Sequence, residues 1–300
     1  MTSHQLLVGL GTVILVVTLA VTIPMTLLMR PRVMGGGFLH NVKRIVVDYR
    51  WHVALFALIY FEKNFIDSLN DPVRHALDLN FTHWIYLLER NTVYFIQAGF
   101  EHPALTAVLN VNYITAYVFI NYFSVIFFAY CDDRELANTM ALNYSIIYLL
   151  SIPFYLFFPV EITGHYLPEM KELLYNFNGV FQKFFAAADP LDNAFPSLHI
   201  GIPFGMLYLM VRTMEKRGYT WRDWEYRGYL MLVMVEFVLF TFSILYLGIH
   251  WLSDIPGGLL IGWLGAWITE EVAEDFFGAL RRAERRVKSW LRPRAAAAPG

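Results

Sequence analysis

Charged side chains are scarce in this chain and cysteine is nearly absent. Asp, Glu, Lys and Arg make up 16% of the 300 residues, against roughly 25% in a soluble domain. Hydrophobic residues reach 57%. Six or seven apolar runs approach the roughly 20 residues needed to cross the hydrocarbon layer, and uninterrupted runs of that length set a membrane protein apart from a large soluble helical bundle. The single cysteine, Cys131, excludes an internal disulfide and any cysteine-based zinc site, and reads as a packed thiol. No basic residues precede the first apolar stretch, as they would in a signal peptide. No internal repeat is visible either. The formal charge of −2 says little as a total; its distribution says more.

The first span runs from about Leu6 to Met29, with Pro24 near its inner end, and Arg30, Arg32, Lys43, Arg44 and Arg50 follow it. This pattern predicts a retained span with its N-terminus outside. A second span, near Trp51 to Asn70, is interrupted by Glu62, Lys63 and Asp67. From Asp71 to Pro103 the mixed composition, with Trp84, Tyr86 and Tyr94, suits an interfacial or re-entrant segment. Further spans are expected at about Ala104–Tyr130, Asn138–Phe158, Ser197–Val211, Tyr229–Gly248 and Ile255–Thr269. Between the fourth and fifth, Glu169 to Phe185 repeats apolar residues at three- and four-residue steps. That predicts an amphipathic helix, either lying flat in the interface or packed as a cover.

The resulting fold class is all-α: a polytopic membrane helix bundle of about six core transmembrane helices plus one extra N-terminal span. Residues 1–50 form that span and a basic connection, 51–273 the membrane-embedded core, and 274–300 a basic tail whose end is expected to be disordered. Seven spans and an outside N-terminus put all three basic segments (30–50, 212–227 and the tail) on the cytoplasmic side, as the excess of Lys and Arg requires. His199 and His250 then fall on the opposite, non-cytoplasmic side. The arginine-rich tail directly follows a span, so it reads as facing lipid headgroups rather than nucleic acid.

Two short stretches carry the chemistry. In Phe195-Pro196-Ser197-Leu198-His199, Pro196 suits the first position of a helix, with Asp192 or Asn193 upstream as a capping side chain. The N–H groups of Ser197, Leu198 and His199 would then face an anion, with the Ser197 hydroxyl beside them. In His250-Trp251-Leu252-Ser253-Asp254, histidine and aspartate lie four apart and share a helical face. A carboxylate there accepts the Nδ1–H of the imidazole and leaves Nε2 free to attack. Each stretch precedes glycines at a spacing of four, Gly201 with Gly205 and Gly258 with Gly262, which let helices approach closely.

Asn193-Ala194-Phe195-Pro196-Ser197-Leu198-His199 and Tyr246 to Asp254 resemble the second and third motifs of the type 2 phosphatidic acid phosphatase superfamily. The AFPSLH form is most similar to its inositol phosphorylceramide synthase branch. The resemblance extends over about Ala104 to Thr269. It implies that His250 is the nucleophile forming a phosphohistidine, that Asp254 orients it, that His199 protonates the leaving oxygen and later activates the acceptor, and that Ser197 holds a phosphate oxygen. It implies no metal and no cofactor. The substrate would be a lipid phosphate or phospholipid, and the acceptor water or an inositol- or lipid-type hydroxyl, at a cell membrane.

Departures from the pattern matter as well. The third motif of the phosphatases opens with Ser-Arg, and Ser243-Ile244 stands here. The first motif, a lysine followed at a distance by Arg-Pro, is absent before Ser197; Arg30-Pro31 lies on the wrong side, and no arginine follows Phe158-Pro159-Val160. Lys183, Lys171, His165, Arg90 and His102 are the candidate cations on the expected side. The missing arginine tilts the reading toward the synthase-like branch. A transporter, or a catalytically inactive relative, is the alternative in a different class.

Overall fold

The computed structural model describes residues 20–22, 24–26, 38–174, 191–220 and 222–291. Most of the expected first span lies outside them; 20–22 and 24–26 are helical. The helices that follow are α1 (Phe38–Asp48), α2 (Arg50–Leu77), α3 (Thr82–Glu89), α4 (Thr92–Phe100), α5 (Pro103–Tyr130), α6 (Arg134–Phe157), α7 (Thr163–Tyr166), α8 (Leu198–Arg217), α9 (Trp224–Tyr246) and α10 (Asp254–Leu291). Among the described residues no strand forms, only an isolated parallel bridge between Val160 and Asn193. The fold is an all-α helical bundle.

Among the described residues, three helices, α5, α6 and α9, are long and apolar enough to cross a membrane. Along α9, Met231, Met234, Val235 and Val238 are exposed while Tyr229, Val233 and Phe240 are buried. A helix apolar on all sides divides its faces between the protein core and lipid. The mixed segment before α5, expected to be interfacial or re-entrant, comprises the end of α2 and two short helices, α3 and α4. The expected helix over 169–185 does not begin where the periodicity starts: residues 169–174 form turns and bends, and 175–190 lie outside the described residues. Helix α10 runs unbroken through residues 273 and 274, so the expected boundary with the tail falls inside one helix; 292–300 lie outside the described residues.

Local chemistry fixes several helix ends. Pro103 takes the first turn of α5, and the His102 side chain accepts from Ala104 N. Asp133 caps α6 by accepting from Leu136 N at 3.1 Å. Gly218, at φ 64°, ends α8 in the left-handed conformation that glycine tolerates. Ion pairs gather at this end of the bundle: Arg44 with Asp132 at 2.6 Å, Arg217 with Asp133 and Glu135, and Lys216 with Glu270 at 2.6 Å.

Helix α8 is the centre of the bundle and packs on α6, α9 and α10. Its contact with α10 is backbone against backbone. A Cβ on Gly258 would stand 2.5 Å from the Ser197 carbonyl oxygen, one on Gly201 3.0 Å from the Gly258 carbonyl oxygen, and one on Gly262 would fall on the Gly201 backbone. The glycine pairs read from the sequence therefore bring helices together, except that Gly205 turns to α6, where its neighbours are Asn143 and Ile147. Gly262→Ala should lower stability by about 1–3 kcal/mol, since overpacking forces the backbones apart. Gly99→Ala, with nothing within 4 Å, should leave stability unchanged or raised. Thermal unfolding in detergent compares the two.

Candidate functional site

The two histidine-bearing stretches meet where α8 and α10 begin, at the end of the bundle opposite the Arg44–Asp132, Arg217–Asp133 and Lys216–Glu270 pairs. Asp254 is the first residue of α10 and His250 lies in the loop before it. The loop turns at Gly248 (φ 80°), and the N–H groups of Ile249 and His250 both donate to the Ile244 carbonyl, at 3.1 and 3.0 Å. Asp254 Oδ2 accepts from His250 Nδ1 at 2.9 Å and from Trp251 N at 2.9 Å. With Nδ1 protonated toward this carboxylate, Nε2 carries the lone pair. The Ser197 hydroxyl lies 3.3 Å from Nε2 and donates to it. Ser197 and Asp254 are fully buried and His250 is 5% exposed, so the chain of bonds is sheltered from water.

Helix α8 starts later than the sequence suggests. Ser197 is the residue before its first turn, and Pro196, joined to Phe195 by a cis bond, stands outside the helix. The physical reason lies in tertiary partners: Tyr155 donates to the Pro196 carbonyl at 3.2 Å, and Ser197 N donates to the Asp254 carbonyl at 3.3 Å. The Ser197 N–H is therefore engaged and does not face an anion. Ile200 and Gly201 bond back to the Ser197 carbonyl. Among the described residues, the N–H groups of Leu198 and His199 are left open at the helix start. Asp192 and Asn193 do not cap the helix either. Asp192 pairs with Arg74 at 2.6 Å and accepts from Asn70, which also donates to Asn193 Oδ1 at 2.7 Å.

His199 stands beside this chain, its ring centroid 6.5 Å from that of His250, with the planes at 60°. Its orientation comes from aromatic neighbours. Tyr113 stacks on it at 4.0 Å and Tyr117 lies at 4.3 Å, both from α5, while Phe240 of α9 approaches edge-on at 5.3 Å. No residue pattern pointed to Tyr113 or Tyr117, because their relation to His199 exists only once α5 packs near α8. The same holds for Glu89 of α3, which accepts from Leu252 N and Ser253 N at 2.7 and 2.6 Å.

Among the described residues, the candidate cations are engaged elsewhere. Lys171 pairs with Glu101 at 2.6 Å, His165 with Glu172 at 3.2 Å, and the Arg90 guanidinium lies over the Tyr86 ring. His102 caps α5, and Lys183 lies outside the described residues. Ile244, where the phosphatase pattern has arginine, is fully buried in the apolar cluster with Leu245, Tyr246 and Leu247. Among the described residues no group of three or more His, Cys, Asp or Glu is arranged to hold a metal ion.

Residues 159–276 match the family model of the PAP2 superfamily. This match supports the type 2 phosphatidic acid phosphatase superfamily for that part of the chain, and with it a lipid phosphatase or phosphotransferase type of activity in a membrane setting. It begins at α7's approach rather than near Ala104, and it concerns the superfamily as a whole. No curated protein and no solved structure matches the chain.

Asp254→Ala should remove the acceptor from both His250 Nδ1–H and Trp251 N–H. Each buried donor left unpaired costs about 1–3 kcal/mol. A melting temperature equal to that of the unaltered protein, measured in detergent, would contradict this account of the loop.

Proposed function

We propose that this chain is an integral membrane enzyme that moves a phosphoryl or phospho-headgroup from a lipid, through a phosphohistidine on His250. The carrying observation is the Ser197–His250–Asp254 chain of hydrogen bonds with His199 6.5 Å away. The Nε2 lone pair attacks phosphorus, and the bond from phosphorus to the lipid oxygen breaks. His199, protonated once the anionic phosphate lies beside it, gives its proton to that oxygen. In the second half, His199 takes a proton from the acceptor hydroxyl, whose oxygen attacks phosphorus as the P–N bond breaks. Asp254 holds the Nδ1 proton throughout and stabilises the imidazole as its charge rises. The Ser197 hydroxyl turns from Nε2 to a phosphate oxygen, beside the open N–H groups of Leu198 and His199. Reacting atoms approach to about 3–3.5 Å, which the separation of the two rings accommodates.

The acceptor decides the outcome: water gives a phosphatase, a hydroxyl gives a transferase. The AFPSLH form and Ile244 in place of arginine favour transfer of the inositol phosphorylceramide synthase kind. The sidedness follows from charge. The site lies at the opposite end of the bundle from Arg44, Arg217 and Lys216, and basic residues mark the cytoplasmic side. The site therefore faces the non-cytoplasmic side of the cell membrane.

Phosphate release or headgroup transfer from a lipid phosphate in mixed micelles tests this reading. His250→Ala should abolish turnover, and His199→Ala should lower it about a hundred- to ten-thousand-fold. Vanadate should inhibit. A folded unaltered protein with no turnover would leave an inactive relative or a transporter.

A further inference from the structure

Every backbone N–H from Ile249 to Asp254 has a partner. Ile249 and His250 donate to Ile244 O, Trp251 to the Asp254 side chain, and Asp254 to Trp251 O. Leu252 and Ser253 alone look outside the α9–α10 hairpin, and both donate to Glu89, one to each carboxylate oxygen. Glu89 is 8% exposed and ends α3, so it comes from a part of the chain ahead of the residues matched to the PAP2 superfamily.

We infer that Glu89 is a positioning residue for His250. A carboxylate with both oxygens engaged is a rigid two-point clamp, and bonds from N–H groups to a charged acceptor are about twice as strong as neutral ones. The clamp grips the two residues between Trp251 and Asp254, so any drift of the loop moves the His250–Asp254 bond with it. It also places negative charge at the start of α10, where the helix dipole favours it. That carboxylate fills the anion-attracting end of α10 and leaves the start of α8, at Leu198 and His199, as the end open to a phosphate. Thr92 Oγ1 donates to the Glu89 carbonyl at 2.5 Å, and Gln97 of α4 donates to Tyr246 O and Lys171 O at 2.9 Å, which ties α4 to the end of α9. Helices α3 and α4 thus act as a brace against the hairpin that carries the nucleophile.

This inference rests on the proposed function, and the test separates the two. Glu89→Gln keeps the shape but offers one acceptor oxygen, so one of the two N–H groups faces an amide N–H₂. With a lipid phosphate in mixed micelles, kcat should fall about ten- to a hundredfold, as a small misplacement of reacting groups demands. KM should change by less than about threefold, because substrate contacts are intact. Glu89→Asp, which keeps the charge and shortens the reach, should fall between, and it takes the place of Glu89→Gln should that variant not fold. Hydrogen exchange at Leu252 and Ser253 should quicken in the variants while α5 is unchanged. A variant kcat within about twofold of the unaltered protein overturns the inference. Absence of turnover in the unaltered protein overturns the proposed function instead, and exchange then decides alone: unchanged protection at Leu252 and Ser253 overturns the clamp.

Discussion

The contact of α8 with α10 governs what the rest of the molecule can do. Gly201, Gly258 and Gly262 put backbone against backbone, so the helices approach more closely than larger residues permit. Their starts are consequently neighbours, and Ser197 N reaches the Asp254 carbonyl at 3.3 Å. The Ser197 hydroxyl then meets His250 Nε2. In lipid, association of helices has no hydrophobic drive between apolar surfaces and depends on such packing and on hydrogen bonds. One methyl group in that seam would act on the architecture and on the site together.

Around this seam the protein sets polar groups in a buried place while pairing every backbone N–H of the loop. The 249–254 loop directs all of its N–H groups to carbonyls or carboxylates. A buried donor without an acceptor is costly, which accounts for the recruitment of distant acceptors such as Glu89. His199 is treated differently. It is framed by Tyr113, Tyr117 and Phe240, and stacked, tilted and edge-on ring packing orients its plane. One imidazole is aligned by a carboxylate and the other by aromatic faces. That difference is what the proposed function uses, with His250 as the nucleophile that keeps one tautomer and His199 as the proton carrier.

Much of the bundle was legible in the chain. Apolar runs gave α5 nearly to the residue and α6 and α9 to within about a turn and a half, since a membrane span is a matter of length and hydrophobicity. The His250–Asp254 bond was legible from a spacing of four, although His250 itself lies before the helix and the bond closes a loop. Capping of α8 was misread because Asp192 and Asn193 have stronger partners in Arg74 and Asn70, more than a hundred residues away in the chain. Pro196 was misplaced for the same kind of reason, since Tyr155 and Asp254 take the carbonyl and N–H that flank it.

Sequence alone determined the class of fold, the apolar spans and the two histidine-bearing stretches that meet at one end of the bundle, because hydrophobicity, periodicity and short-range spacing act within a few turns of one helix. The tertiary structure decided which glycines pair across helices, where the N–H of Ser197 goes, what frames His199 and what clamps the His250 loop. Those are contacts between elements far apart in the chain. They depend on the direction in which each side chain leaves its helix, and that direction is set only when the helices pack.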